Sequence, residues 1–193
     1  SFTKTSRDPT ENILSWFKRV DHTPSNFEQA VAFGELCNKT LLALAKENAE
    51  KVINSNTSNT ECAEIQEEAK SILDKLMSIS PQLTSGKSVV NAETLNAYIQ
   101  CLSRVDVEDS VSAAEGLLKR MSEGEDNLPS PNTGTFNAVM KLWSLIDGEK
   151  GKDGVNNAFS HLQNAAVTRD NLTPNRDTFQ ILLAANSKEN NHF

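Results

Sequence analysis

The hydrophobic residues of this chain recur at helical spacing, in segments that polar loops separate. Apolar positions at i, i+3, i+4 and i+7, together with capping residues, predict eight helices and no strand. The predicted helices cover residues 9–20, 25–53, 61–77, 93–103, 108–122, 135–145, 155–167 and 177–187. The loop at 78–88 is the best boundary between residues 1–79 and a continuous array at 90–193. The glycine-rich segment DGEKGKDG, residues 147–154, is interpreted as a solvated loop.

Three segments of the array repeat nearly the same phrase: VNAETLNAYIQCL at 90–102, PNTGTFNAVMKLW at 131–143 and PNRDTFQILLAAN at 174–186. Each has an Asn, then a Thr three residues later, then Leu or Phe, then Asn or Gln. The three threonines, Thr94, Thr135 and Thr178, are separated by 41 and 43 residues. Self-similarity at such a period is typical of stacked helical hairpins, because one hairpin cannot bury its own apolar face.

The repeated phrase also predicts which side chains pack between the hairpins. The positions expected to pack on the first helices are Leu95, Tyr98, Ile99, Phe136, Val139, Met140, Trp143, Phe179, Leu182 and Leu183. Those expected on the second helices are Ala114, Leu118, Ala158 and Leu162. The predicted fold is therefore all-α, a short right-handed α-solenoid of about eight helices. Leu182, Leu183 and Ala184 have no predicted second helix after them, so we expect further chain or a partner to shield that end.

The Thr-aromatic-Asn opening and the Pro131-Asn132 and Pro174-Asn175 pairs resemble the pentatricopeptide repeat family over residues 90–188. Residues 38–77 are interpreted as a possible degenerate earlier copy. The resemblance implies a tetratricopeptide-like hairpin fold and a nuclear-encoded protein of the plastid stroma or mitochondrial matrix, with its targeting peptide removed. It also implies single-stranded RNA as a ligand, one base per repeat. The base-reading pairs would be Asn96 with Asn132 and Asn137 with Asn175.

The charge of the chain favours a different ligand. Its net charge is −7, and from residue 90 onward nine Lys and Arg residues face fourteen Asp and Glu residues. RNA phosphates require cations to replace their counterions. The alternative interpretation of Asn96 and Asn137 is structural: they cap turns or bridge neighbouring helices. We therefore expect a scaffold or assembly subunit that binds other proteins in an organellar complex, photosynthetic, respiratory or ribosomal. RNA binding, in processing or stability of transcripts, is the alternative.

No catalytic or cofactor chemistry is indicated. His22, His161 and His192 have no metal-ligand spacing, and no nucleophile is placed beside a base. No apolar run approaches the roughly 20 residues that a membrane span needs. The cysteines, Cys37, Cys62 and Cys101, are far apart and odd in number, which predicts buried free thiols rather than disulfides or a zinc site. The expectation is a protein with no enzyme activity, cofactor or metal.

Overall fold

The computed structural model describes residues 27–53, 59–79, 90–102, 106–169 and 172–187, and within them it is all-α with no strand. The seven α-helices are α1 (Phe27–Ile53), α2 (Asn59–Ile79), α3 (Ala92–Cys101), α4 (Val107–Glu123), α5 (Thr133–Trp143), α6 (Glu149–Thr168) and α7 (Arg176–Ser187). A 3-10 turn at Glu125–Asn127 follows α4. The prediction of an all-α protein is confirmed for these residues, and the predicted helix at 9–20 lies outside them.

The repeated Asn-x-x-Thr phrase starts helices for a local reason. At α3 the Asn91 side chain accepts from the Thr94 backbone N–H at 2.8 Å, and the Thr94 hydroxyl accepts from the Asn91 N–H at 3.3 Å. Asn132 and Thr135 make the same reciprocal pair at the start of α5. Each pair satisfies backbone donors that a helix N-terminus otherwise leaves without partners.

The interpretation of residues 147–154 as a loop is wrong, because α6 already begins at Glu149. Gly148, with φ of 77°, precedes the first turn. A Cβ on Gly154 would lie 2.0 Å from the Trp143 ring, and one on Gly151 would lie 1.9 Å from the Ile146 carbonyl oxygen. The two glycines are therefore contact points where α6 meets the end of α5, which composition alone does not reveal.

The start of α2 also differs from its prediction. The predicted helix starts at residue 61, whereas α2 begins at Asn59. Apart from α6, the other helices of the described residues begin and end within a few residues of their predicted bounds.

The odd-numbered helices α1, α3, α5 and α7 pack against one another in chain order. The α2 helix packs on α1 and α3, α4 on α5, and α6 on α5 and α7. One continuous apolar core joins these helices, with Leu41, Ile72, Ile99 and Val139 among its fully buried members. The α4 helix packs on α5 rather than on α3, the helix that was expected to form a hairpin with it.

The three cysteines are buried free thiols, as the sequence predicts. Burial raises the pKa of Cys37 to about 12, although nearby Lys75 opposes the shift. Burial, and then the negative charge of Glu47, raises the pKa of Cys101 to about 12. Thiolates are the reactive form, so both groups are held in the unreactive thiol state at neutral pH.

We expect these thiols to resist modification in the folded protein. At pH 8 a small aromatic disulfide reagent should label the native chain far more slowly than the urea-unfolded chain, in which all three thiols react. The pKa values of Cys37 and Cys101 are higher in the folded chain than in the unfolded chain. Their contribution to the free energy of unfolding is therefore fully present below about pH 9, and it is lost as the pH rises from about 9 to about 12. Rapid labelling of native Cys37 or Cys101, located by peptide mass spectrometry, would contradict this account.

Candidate functional site: the asparagine–threonine junctions

The junction between α5 and α7 is a closed network of polar side chains. The Asn137 amide donates from Nδ2 to Asn175 Oδ1 at 3.1 Å. The Thr178 hydroxyl accepts from the Asn175 backbone N–H at 3.0 Å and donates to Asn137 Oδ1 at 2.7 Å. Asn137 and Thr178 are both buried. A buried polar group without a partner costs free energy, so this mutual pairing fixes the register of the two helices.

The junction between α3 and α5 has the same residue types at equivalent positions, but it lacks the hydrogen bond from the Thr hydroxyl to the Asn side chain of the preceding helix. Asn96 donates from Nδ2 to Asn132 Oδ1 at 3.0 Å, while Asn96 Oδ1 is buried and has no hydrogen-bond partner. Gly134 lies against this pair, and a Cβ there would come within 2.8 Å of Asn96 Nδ2. The glycine thus leaves room for the Asn96 amide where α5 begins.

A third junction, between α1 and α3, was not anticipated from the sequence. The Thr94 hydroxyl donates to Asn38 Oδ1 at 2.6 Å, as Thr178 does to Asn137. Asn38 therefore occupies on α1 the place that Asn96 and Asn137 occupy on α3 and α5. The available signal is the order apolar-Asn-x-x-apolar, which Cys37, Asn38 and Leu41 share with the later helices although the Thr is missing.

The structure brings together the two members of each candidate base-reading pair, but their side chains are hydrogen-bonded to each other. Asn96 contacts Asn132, and Asn137 contacts Asn175. The two helix amides are 8% and 6% exposed, and each uses one Nδ2 N–H in the pair. Their burial leaves little of either side chain accessible to a base edge. The geometry therefore matches the bridging interpretation of Asn96 and Asn137.

Most residues predicted to pack between hairpins are buried or half-buried. The fully or largely buried ones are Leu95, Ile99, Ala114, Phe136, Val139, Met140, Ala158 and Leu162, and the half-buried ones are Tyr98, Leu118, Trp143 and Leu182. Phe179 and Leu183 differ, because they are 48% and 69% exposed. The Phe179 ring packs edge-on against Phe159 of α6, with centroids 6.0 Å apart, and the packing role of both residues stays a prediction. Ala184 is exposed as well.

Acidic side chains lie beside several of the exposed cations. Lys150 is paired with Glu108, and Arg120 with Asp126. Lys119 Nζ lies 4.0 Å from Glu123 Oε1 on the same helix. Exposed pairs of this kind add little stability. They do, however, place a negative charge beside each of these cations, which weakens their attraction for a phosphate backbone.

The described residues contain no group of three His, Cys, Asp or Glu side chains that could hold a metal ion. Within the same ranges, no helix combines the length and apolarity that crossing a bilayer requires. His161 is exposed on α6. No known protein family, curated protein or solved structure matches the chain.

Proposed function

We propose that this protein is a non-catalytic helical-repeat scaffold that binds other proteins within a larger assembly. In this proposal α1 to α7 form a short right-handed α-solenoid of pentatricopeptide-like hairpins. This arrangement is supported by a contact that recurs along the chain. Asn38 on α1, Asn96 on α3 and Asn137 on α5 each form a hydrogen bond with the next odd-numbered helix. An array of this kind offers an extended surface suited to protein partners.

We prefer protein partners to single-stranded RNA because the candidate base-reading residues are paired with each other. Asn137 Nδ2 donates to Asn175, and Asn137 Oδ1 accepts from Thr178, so both ends of the amide are occupied. Reading a base through Asn137 would require breaking bonds that hold α5 and α7 together. Leaving such a buried group unpaired costs roughly 1–3 kcal/mol. The pairing supports an architectural role for these asparagines.

Charge supports the same choice. The chain has 26 acidic and 19 basic residues, whereas single-strand binding rests on a basic groove with aromatic side chains for stacking. A negatively charged scaffold is suited to a partner with a basic surface, through electrostatic complementarity. From the resemblance to the pentatricopeptide repeat family, we further propose that the protein is nuclear-encoded. Its proposed location is the plastid stroma or the mitochondrial matrix.

Purification from native material tests the scaffold proposal. An affinity-tagged chain should co-purify with a defined set of proteins in stoichiometric amounts, and ribonuclease treatment before purification should leave that set unchanged. A matched sample with the tag alone controls for adsorption. Loss of the partners after ribonuclease would show that RNA holds them, and recovery of the bare chain would contradict a scaffold role.

RNA binding is tested separately by titration. We expect a fluorescent single-stranded RNA pool to bind no tighter than nonspecific contacts, with Kd above about 10 μM at 150 mM salt. The double variant Asn96→Ala, Asn137→Ala should leave that weak signal unchanged. Tight binding that falls steeply between 50 and 200 mM salt would establish the RNA alternative instead.

A further inference from the structure

The helices of this chain divide into two groups that meet at one pair of helices. In the first group α1, α2 and α3 all pack on one another, and in the second α5 packs on α4, α6 and α7. Among the described helices, α3 and α5 are the pair that packs closely between the groups. A division at any other point in the helix order would separate at least two closely packed pairs. The packing is therefore sparsest between α1–α3 and α4–α7.

Side-chain hydrogen bonds hold α3 in the first group. The buried Asn48 amide on α1 donates from Nδ2 to the carbonyl oxygen of Gln100, near the C-terminal end of α3, at 2.8 Å. Near the other end of α3, the Thr94 hydroxyl donates to Asn38 Oδ1 on α1. The α3 helix is thus fixed to α1 near both of its ends.

The α4 helix belongs to the second group, although it follows α3 in the sequence. Trp143 at the end of α5 donates from Nε1 to Glu115 Oε1 on α4 at 2.9 Å. Lys150 on α6 is paired with Glu108 in the first turn of α4. These polar contacts agree with the packing of α4 on α5, so the boundary between the groups lies after α3.

The pair formed by α3 and α5 also has the least complete polar junction. Asn96 Oδ1 is buried and accepts no hydrogen bond within the described part of the chain. At the other two junctions, Asn38 Oδ1 and Asn137 Oδ1 each accept from a Thr hydroxyl. The Thr135 hydroxyl instead donates to Asn132 Oδ1, in the cap of its own helix, at 3.2 Å. Water would satisfy Asn96 Oδ1 if α3 and α5 separated, which favours opening at this junction.

We propose that α1–α3 and α4–α7 are two cooperative units joined at the α3–α5 pair, and that each unit can unfold while the other stays folded. The apolar core is continuous across this pair, so the closed form is the major state and opening is a sub-global event. A partner that binds only the closed form and contacts both units would suppress this opening. The inference goes beyond the scaffold proposal and does not depend on it.

The natural cysteines provide a reporter for one unit alone. Cys37, Cys62 and Cys101 are all buried, and they lie on α1, α2 and α3. Labelling of these thiols at pH 8 by a small aromatic disulfide reagent, at concentrations where the rate scales with the reagent, measures the opening of α1–α3. Amide hydrogen exchange in peptides from α6 measures the opening of α4–α7. Ile72→Val weakens the core of the first unit and Val155→Ala that of the second, since both side chains are at most 1% exposed.

We expect Ile72→Val to speed the labelling of all three thiols about fivefold and to leave amide exchange in α6 within about twofold of the parent rate. Val155→Ala should speed exchange in α6 at least about fivefold and leave thiol labelling within about twofold. Val167→Ala, at a site 84% exposed on the same helix, is the matched control and should change neither rate more than about twofold.

A single cooperative unit predicts a different result, because each core variant would then speed both reporters. Acceleration of thiol labelling by Val155→Ala, or of exchange in α6 by Ile72→Val, would overturn the proposal. So would a core variant that leaves the reporter of its own unit unchanged, since the reporter would then be reached without unfolding of that unit. None of these measurements involves native partners, so the co-purification test remains separate.

Discussion

Replacing Gly154 by alanine should destabilise the fold by about 3 kcal/mol. The new Cβ would lie 2.0 Å from the Trp143 indole and 2.1 Å from a second atom of that ring. The ring has little freedom to move, because Trp143 Nε1 donates to Glu115 Oε1 on α4 at 2.9 Å. Relief therefore requires the start of α6 to shift away from α5. Denaturant unfolding followed by circular dichroism gives the free-energy difference.

Gly116→Ala is the matched control for this substitution. Gly116 lies inside α4, and its added Cβ would meet nothing within 4 Å. Alanine lowers the entropy of the unfolded chain and favours helix, so Gly116→Ala should stabilise the protein by about 0.5–1 kcal/mol. If Gly154→Ala also stabilised the protein, residues 149–154 would not be helical against Trp143, and the original loop interpretation would return.

Asn137→Ala should lower the free energy of unfolding by about 2–3 kcal/mol. The substitution removes the donor to Asn175 and the acceptor of Thr178, and it leaves the buried Thr178 hydroxyl with a weaker set of partners. It also opens a small cavity between α5 and α7. The same unfolding experiment measures the loss. A change within about 0.5 kcal/mol would mean that the junction adds nothing to stability.

Gln180→Ala is the matched control because it changes the corresponding position on α7. Gln180 is exposed, so its removal should alter stability by no more than about 0.5 kcal/mol. The contrast between positions 137 and 180 separates the junction itself from the general effect of removing an amide from a helix. Equal losses at the two positions would mean that the hydrogen bonds of Asn137 do not set the result, because alanine raises helix propensity at both positions.

The sequence was sufficient for the helices because their start signals are local. Asn132 and Thr135 satisfy each other within four residues, and the same phrase at Asn91 and Thr94 does the same. Apolar spacing then identified the buried faces of α3 and α5. Such signals depend on neighbours in the chain, and they operate whatever the helices pack against.

The features that the sequence missed depend on distant neighbours. Gly154 suits its place inside α6 because the Trp143 ring fills the space that a side chain would take. The pairing of Asn96 with Asn132 could be foreseen only as one of two interpretations, since an amide in this place could bridge helices or face a ligand. Asn38 was missed because α1 lacks the Thr of the repeated phrase, while its partner Thr94 lies on another helix.

The central claim is that an asparagine on each of α1, α3 and α5 is hydrogen-bonded to the Asn or Thr at the start of the next odd-numbered helix, and a double-mutant cycle tests it most directly. The cycle combines Asn137→Ala and Thr178→Val, whose side chains are joined by the 2.7 Å hydrogen bond between α5 and α7. Unfolding free energies of the two single variants, the double variant and the parent give the coupling. We predict a coupling of about 1–2 kcal/mol, because the pair is buried. Strictly additive losses would contradict the claim.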